Sequence, residues 1–302
     1  MRSNKKFSII GAVAVSISAI LWGLDGVVLT PRLYNLDVGY VVFILHFIPF
    51  VLMNIFLFKE YRYLKTFSAS DVFTLLLIAI LGGAVGTLAI VKAIFLVNFK
   101  HLTIIVLLQK LQPVFAIALA TIYLKEKLRN NYLLWASIAI IAGYFLTFGF
   151  DLPDFQTGDN TVYAASLALL AAFSFGSSTV FSKKILQKYS FHTATFFRYG
   201  FTTLILFSYL IIFSKFGEFT NTTSTNWLFF MIIAFTTGSG AIFLFYYGLT
   251  KIPAILATIC ELFFPISAIF FDYLINDNKL SIVQWVAAII MIGAIINLNR
   301  KS

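Results

Sequence analysis

Apolar residues follow one another in long runs along the whole chain, and polar residues gather in the short stretches between these runs. Most runs are about 18–24 residues long, and a helix needs roughly 20 such residues to cross a bilayer. The pattern predicts ten membrane-spanning helices, joined by loops too short to form a soluble domain. The predicted spans are about 8–28, 38–58, 72–95, 101–124, 131–149, 162–182, 191–214, 228–249, 253–275 and 282–298.

Composition supports the same class. Hydrophobic residues make up 60% of the 302 residues and charged ones 11%, against roughly 45–50% and 25% in soluble domains. A water-soluble fold of this length has no core large enough for so much apolar surface. The alternating ten-residue segments of a membrane β-barrel are absent. The first apolar run continues past Ala19 without a break, which favours a spanning helix over a cleaved signal peptide. The sequence therefore predicts an all-α integral membrane protein.

The positive charge predicts an orientation rather than nucleic-acid binding, because the net +10 is spread over short loops. With the N-terminus inside, four basic residues fall in external loops, namely Arg32, Lys100, Lys215 and Lys279. Fifteen fall in cytoplasmic segments: Arg2, Lys5, Lys6, Lys59, Arg62, Lys65, Lys125, Lys127, Arg129, Lys183, Lys184, Lys188, Lys251, Arg300 and Lys301. Both termini are therefore predicted to be cytoplasmic, in a multi-pass protein of a bacterial inner membrane. The single cysteine, Cys260, lies within a span and excludes an intrachain disulfide.

The two halves of the chain resemble each other at an offset near 152 residues. VLLQKLQPVFAIALATIYLKEKL (106–128) aligns with TICELFFPISAIFFDYLINDNKL (258–280), so that Pro113 matches Pro265 and Gln109 matches Glu261. ILWGLDGVV (20–28) aligns with FSFGSSTVF (173–181), and His46 aligns with Arg198. Each half holds five spans, an odd number, so the second copy enters the membrane inverted. Inverted repeats are typical of alternating-access transporters, whose substrate site lies near the midplane between the halves.

These features resemble the EamA branch of the drug/metabolite transporter superfamily. The resemblance rests on ten spans in two halves, ILWG in the first span, a proline-centred fourth span that ends in YLKEKL, and an Ala-Gly pair in the fifth. It implies two five-helix repeats, at 8–149 and 162–298, and transport of a small solute. The family often carries arginine in the second span of each half, whereas this chain has Arg198 in one half and His46 in the other. The resemblance leaves the substrate open.

Four polar residues lie near the middle of predicted spans. Lys110 lies about 14 Å into its span at ~1.5 Å per residue, and Gln109 and Gln112 flank it. Glu261 precedes Pro265 by four residues, so the proline frees the carbonyl beside this carboxylate. Charged groups at this depth face a partner or a watery cavity. One interpretation is a structural Lys110–Glu261 ion pair; the other is a cavity in which both bind solute and Glu261 exchanges a proton.

Five further residues are candidates for the same cavity, and four of them have a plainer alternative. His46 is either a neutral buried histidine bonded to a neighbour or a group that changes protonation near neutral pH. Arg198 either binds solute or anchors to cytoplasmic headgroups. Asp25 and Lys92 lie near the outer ends of their spans, where they form an outer gate or mark the interface. Trp22 borders the cavity beside Asp25.

The sequence thus predicts a secondary transporter, an exporter of amino acids or related polar metabolites, with protons as a candidate coupling ion. A lysine and a glutamate at comparable depth suit a zwitterion. The alternatives are a membrane-embedded lipid-modifying enzyme and a non-transporting structural or signalling protein. Against an enzyme, the sequence contains no P-loop, no Gly-x-Ser-x-Gly elbow and no metal-ligand spacing, so no cofactor is predicted. A small solute and the bilayer are the expected partners, with no nucleic acid.

The predicted topology is tested by thiol labelling in a Cys260→Ala background. We expect an impermeant reagent to label Asp154→Cys in intact cells and to leave Ser302→Cys unlabelled, because the first position is external and the second cytoplasmic. Lysed cells, in which both sites are accessible, are the control. Labelling at 302 in intact cells would contradict the inverted arrangement.

Overall fold

A computed structural model of the chain describes residues 2–96, 105, 108–109, 111–128, 131–150, 159–276 and 281–300. Within these residues the chain is helical and forms no strand. The α-helices are α1 (Arg2–Leu24), α2 (Val38–Leu57), α3 (Ala69–Ile78), α4 (Gly86–Leu96), α5 (Gln112–Leu119), α6 (Tyr132–Phe148), α7 (Asp159–Leu186), α8 (Phe191–Ile212), α9 (Glu218–Asn221), α10 (Ser224–Ile233), α11 (Ser239–Lys251), α12 (Ala254–Cys260), α13 (Phe263–Asn276) and α14 (Ile282–Arg300).

Seven helical segments of the described chain are long and apolar enough to cross a membrane. They are Ser8–Leu33, Val38–Lys65, Ala69–Leu96, Val162–Leu186, Phe191–Ile212, Ser224–Lys251 and Ala254–Ile275. Three shorter apolar helices, Gln112–Leu124, Tyr132–Leu146 and Ile282–Leu298, fall on the other three predicted spans. Large apolar side chains such as Phe56, Ile122 and Ile289 point outward, as expected where lipid replaces water. The chain is therefore a multi-pass membrane protein.

Side-chain caps begin the second and third spanning segments of both halves. Asp37 accepts hydrogen bonds from the first amides of α2, and Ser190 accepts one from Thr193 at the start of α8. Capping boxes begin the third segments, where Ser68 pairs with Asp71 at α3 and Thr223 with Asn226 at α10. These caps satisfy amides that a helix leaves without an internal partner. Helices of the two halves thus begin at corresponding places for the same local reason.

Each capping box also reaches across to the other half. Asp71 accepts from Lys188 Nζ at 2.8 Å and from the Tyr189 hydroxyl at 3.0 Å, just after α7. Asn226 Nδ2 donates to Asn35 Oδ1 at 3.0 Å and to the Arg32 carbonyl at 3.2 Å, at the end of the first spanning segment. The start of the third segment in each half is therefore tied to the end of the first segment in the other.

Glycines let the first helix of each half touch the backbone of the fourth segment of the other half. A Cβ added at Gly23 of α1 would lie 2.8 Å from the Ala268 nitrogen and 2.9 Å from the Phe264 carbonyl oxygen, in α13. A Cβ added at Gly176 of α7 would lie 2.7 Å from the Gln112 carbonyl oxygen, in α5. Small residues at such crossings allow helix backbones to approach closely. Both crossings lie beside the prolines, Pro265 and Pro113.

Wider π-helical turns interrupt the third segment of each half. Ala79–Val85 joins α3 to α4, and Ala234–Gly238 joins α10 to α11. A glycine follows each turn because the displaced carbonyl occupies the space of a side chain. A Cβ at Gly86 would lie 2.6 Å from the Leu81 oxygen, and one at Gly240 would lie 2.7 Å from the Phe235 oxygen. Turns of this kind are frequent at functional sites, and a third one, Asp25–Leu29, ends α1.

The Gly23 crossing is tested by a matched pair of alanine variants. We expect Gly23→Ala to destabilise the protein by about 1–3 kcal/mol, because the new methyl group would press on backbone atoms of α13. Gly293→Ala, in α14, meets no atom within 4 Å and should leave stability unchanged or slightly higher. Thermal unfolding in detergent measures both. Equal melting temperatures for the two variants would contradict the close crossing.

Candidate functional site

A cavity of about 300 Å³ lies among the helices and draws its wall from both halves of the chain. Its apolar part includes five aromatic side chains: Trp22, Phe175, Tyr199, Phe245 and Phe264. Its polar part consists of Asp25, Thr30, His46, Thr87, Gln109, Gln112, Ser178, Thr179, Arg198, Thr237, Thr258 and Glu261. A mostly apolar wall with a few converging polar groups is the usual form of a small-molecule site.

Broken helices place two of the polar groups in this wall. The helix stops between α12 and α13 at Glu261 and Leu262, four residues before Pro265, and the freed Glu261 carbonyl accepts from Phe264 N at 2.9 Å. In the other half, α5 begins at Gln112, directly before Pro113. Since proline cannot donate its own amide, regular helix is interrupted near both prolines. Glu261 and Gln112 thus lie at the helix breaks of the two halves, and both line the cavity.

Glu261 and Gln112 meet across the two halves. Gln112 Nε2 donates to Glu261 Oε2 at 2.5 Å, and Thr179 Oγ1 lies 3.5 Å from Glu261 Oε1. The partners of this carboxylate among the described residues are therefore an amide and a hydroxyl. Lys110, which the sequence placed beside Glu261, lies outside the described residues, so the predicted Lys110–Glu261 pair stays a prediction.

Arg198 is a buried cation of the cavity wall. Its side chain is 8% exposed and donates to the Tyr246 hydroxyl at 3.1 Å and to the Gly82 carbonyl at 2.9 Å, in the first π-helical turn. Its Nε has no hydrogen-bond partner among the described residues. No carboxylate among the described residues lies within ion-pair distance of the Arg198 guanidinium group. Arg198 thus points into the protein rather than toward lipid headgroups.

The remaining sequence candidates separate into two groups. His46, Trp22, Asp25 and Gln109 line the cavity. The His46 ring lies 5.3 Å from that of Tyr199, and its Nδ1 is bonded to the Val42 carbonyl at 2.8 Å, which matches the interpretation as a histidine bonded to a neighbour. Lys92 is not part of the described wall. Its side chain is exposed, and its ammonium group lies 5.3 Å from the centre of the Tyr163 ring.

Sequence reasoning missed several lining residues, among them Phe175, Ser178, Thr179 and Tyr199. The repeat alignment held the signal for three of them, because Phe175 aligns with Trp22, Ser178 with Asp25 and Thr179 with Gly26. Thr237 was also missed, since a single hydroxyl in an apolar run is too common to be informative. It lies in the second π-helical turn.

The fold and the cavity define a multi-pass helical membrane protein with a solute-sized chamber between its spans, mostly apolar and carrying a few polar groups. Residues 9–149 and 162–300 each match the EamA-like transporter family. The chain therefore belongs to this family, and the predicted place in the drug/metabolite transporter superfamily is confirmed. It is similar to a protein of Fusobacterium nucleatum subsp. nucleatum named riboflavin transporter ImpX, with 54% identity over 96% of this chain and 97% of that protein. A crystal structure of another protein superposes with a TM-score of 0.69 at 13% identity, covering 98% and 99% of the two chains, which shows a shared fold.

The anchoring of Arg198 is tested by Arg198→Lys. We expect this variant to lose about 1–3 kcal/mol of stability, because one ammonium group cannot reproduce the planar fork that bonds both Tyr246 and Gly82. Arg62→Lys is the matched control, since Arg62 is exposed and contacts the Tyr63 hydroxyl at 3.2 Å. The measurement is the melting temperature in detergent. An equally small shift for both variants would show that the buried fork does not hold α8 to the first π-helical turn.

Proposed function

We propose that this protein is a secondary transporter of riboflavin or a closely similar flavin, and that it works by alternating access. The observation that carries the proposal is the 54% identity, over nearly the full length of both chains, with a protein named a riboflavin transporter. That relative comes from a bacterium, which supports the proposed location in a bacterial plasma membrane. The distribution of Lys and Arg supports cytoplasmic termini.

The wall of the cavity suits a flavin. Riboflavin joins a flat aromatic ring system, with donors and acceptors along one edge, to a chain of hydroxyl groups. Aromatic side chains such as Trp22, Phe245 and Phe264 offer faces to a flat ring, and Gln109 and Gln112 offer amides to its polar edge. At about 300 Å³ the chamber lies at the lower end of the usual range for small-molecule sites. Amino acids, which the sequence alone favoured, would contact fewer of these aromatic side chains than a flavin ring would.

The contacts of the capping boxes support two inverted five-helix repeats. If each spanning segment crosses once, α3 begins on the side where the first segment begins. Asp71 of α3 contacts Lys188, after α7, so α7 ends on that side. The first segment ends on the opposite side, where Arg32 contacts Asn226. The first segments of the halves thus run in opposite directions. The two family matches, at 9–149 and 162–300, supply a second argument.

Charged hydrogen bonds at helix ends near the proposed cytoplasmic side support alternating access. Glu126 accepts from the Ala254 and Ile255 amides at 2.9 and 3.0 Å, at the start of α12. Lys183 donates to the Leu249 and Ile252 carbonyls at 2.7 and 2.8 Å, at the end of α11. A carboxylate at a helix N-terminus and an ammonium group at a helix C-terminus both interact favourably with the helix dipole. The Glu126 bonds join the two halves, so a separation of the halves on this side would break them.

Glu261 is the residue that we propose to carry a proton. It lies in the cavity wall at the contact between the halves, and its described partners, Gln112 and Thr179, are uncharged. Arg198 lies in the same cavity wall. A carboxylate in such surroundings is able to alternate between charged and neutral forms as the cavity opens to either side. Protonation would then couple riboflavin movement to a proton gradient.

Proteoliposomes with purified protein test both parts of the proposal. We expect the wild type to accumulate labelled riboflavin by counterflow and to take it up faster when an inward proton gradient is imposed. Glu261→Gln should keep counterflow, because glutamine retains the volume and an acceptor oxygen, but should lose the response to the gradient.

Empty liposomes are the control, and labelled amino acids replace riboflavin in a parallel series. Amino-acid counterflow without riboflavin counterflow would overturn the flavin assignment. A gradient response that survives in Glu261→Gln would overturn the proton role alone. Proteoliposomes sorted by orientation then give the direction of net flux, for which the sequence favoured export.

A further inference from the structure

Four buried polar atoms of the cavity wall have no hydrogen-bond partner among the described residues, and two of them, Asp25 Oδ1 and Thr237 Oγ1, belong to side chains that no other contact described above employs. Thr237 is 1% exposed and Thr30 is 5% exposed, and both side chains line the same cavity as Asp25. Buried polar groups are nearly always paired, and an unpaired one costs free energy. These three side chains form a polar pocket in the chamber wall, in which Thr30 lies beside Asp25 through the bond of its amide to the Asp25 carbonyl, and in which Asp25 and Thr237 leave bonding capacity unused.

Local helix geometry produces this pocket. Asp25 begins one π-helical turn, Asp25–Leu29, and Thr30 follows it directly. Thr237 lies in another, Ala234–Gly238. Wider turns displace side chains from the regular helical positions. The pocket is thus built by two helix irregularities that meet in the chamber, rather than by chance exposure of single residues.

The chemistry of the pocket selects solute hydroxyl groups. A carboxylate oxygen accepts hydrogen bonds, so it favours a donor and disfavours a carbonyl or phosphate oxygen. Threonine hydroxyls both donate and accept. A chain of neighbouring hydroxyl groups supplies both functions: one hydroxyl donates to Asp25 while the next accepts from Thr237. Such a chain satisfies every unpaired atom of the pocket.

An aromatic platform adjoins the pocket. Trp22 precedes Asp25 by three residues, so the two side chains lie on one face of the helix, and the Trp22 ring lies 5.4 Å from the Phe245 ring. A ligand that combines a flat ring with a hydroxylated tail would therefore place the ring beside Trp22 and the tail beside Asp25 within one helical turn.

We propose that Asp25, Thr30 and Thr237 bind the ribityl chain and so select flavins that carry it over ring-only flavins. This inference rests on the proposed function. It assigns the recognition of the hydroxylated tail to residues in, or directly after, the turns Asp25–Leu29 and Ala234–Gly238. Gln112 and Glu261 have no part in this recognition.

The test compares riboflavin with lumiflavin, which has the same ring and lacks the hydroxylated tail. Binding to purified protein in detergent is measured by titration calorimetry. We expect wild type to prefer riboflavin, and Asp25→Asn and Thr237→Val to raise the Kd for riboflavin by about tenfold and about fivefold. Lumiflavin binding should change by less than about twofold, a difference too small to represent a lost hydrogen bond.

Thr236→Val is the matched control, because Thr236 lies in the same turn, is exposed, and donates to the Ile232 carbonyl. It should leave both affinities unchanged. Melting temperature gives a second readout: Thr237→Val should melt at or above the wild-type temperature, since no protein hydrogen bond is lost. A lower melting temperature with equal losses for both flavins would show a structural role and overturn the inference.

The outcomes separate the inference from the proposed function. If wild type binds riboflavin and lumiflavin equally, or if neither variant weakens riboflavin binding, the inference is overturned and the proposed function stands. If wild type binds neither flavin, the proposed function fails and the inference fails with it.

Discussion

The close crossing of the first helix of each half over the kinked fourth segment of the other half is the contact on which the remaining structure depends. At Gly23 and Gly176 the helices meet backbone to backbone, beside Pro265 and Pro113. The prolines turn Glu261 and Gln112 inward, and the glycines hold the turned segments against their neighbours. A larger residue at either glycine would push the broken helix away and separate the Gln112–Glu261 contact, 2.5 Å long, that joins the halves.

The polar groups of the described chain fall into two classes, those whose hydrogen bonds are made within the protein and those that lack a partner. At the ends of the spans, Asp71, Glu126 and Lys183 each make two or more hydrogen bonds to the other elements they join. In the cavity wall, atoms of Asp25, Ser178, Arg198 and Thr237 lack partners. Satisfied groups stabilise the arrangement of helices, whereas unsatisfied ones reduce stability and are retained where a ligand supplies the missing bond.

Much of this was predictable from the sequence, for physical reasons that differ from residue to residue. Membrane insertion leaves a strong signal, since every span must be long and apolar, and the family resemblance followed from the order of such spans. Depth along a helix identified His46 and Glu261 as polar groups inside the membrane, whereas it left Asp25 and Arg198 between the cavity and the membrane surface. Depth does not give the direction in which a side chain points, and Lys92 therefore lies on the exposed side against Tyr163.

Other parts of the site could not be predicted from one sequence. The π-helical turns have no residue pattern that distinguishes them from ordinary helix, because glycine and small polar residues also occur at close crossings. Thr237 lies in such a turn, and Tyr199, in the regular helix α8, lines the wall without any sequence signal that distinguishes it from other tyrosines. The repeat alignment does predict part of the wall. It relates Phe175, Ser178 and Thr179 to Trp22, Asp25 and Gly26, and all six line the chamber.

The unequal pair Arg198 and His46 has a consequence for how long the protein rests in each state. Arg198 binds the Gly82 carbonyl of the facing half, while His46, at the related position, binds Val42 of its own helix. A motion that separates Arg198 from Gly82 breaks a charged hydrogen bond of about 1.5–3 kcal/mol, and the mirror motion breaks none. In the proposed cycle, an end state that keeps the Arg198–Gly82 bond would be favoured over one that breaks it by about ten- to a hundredfold in population. The empty carrier would then wait mainly on one side of the membrane, and solute arriving from that side would meet a chamber already open to it.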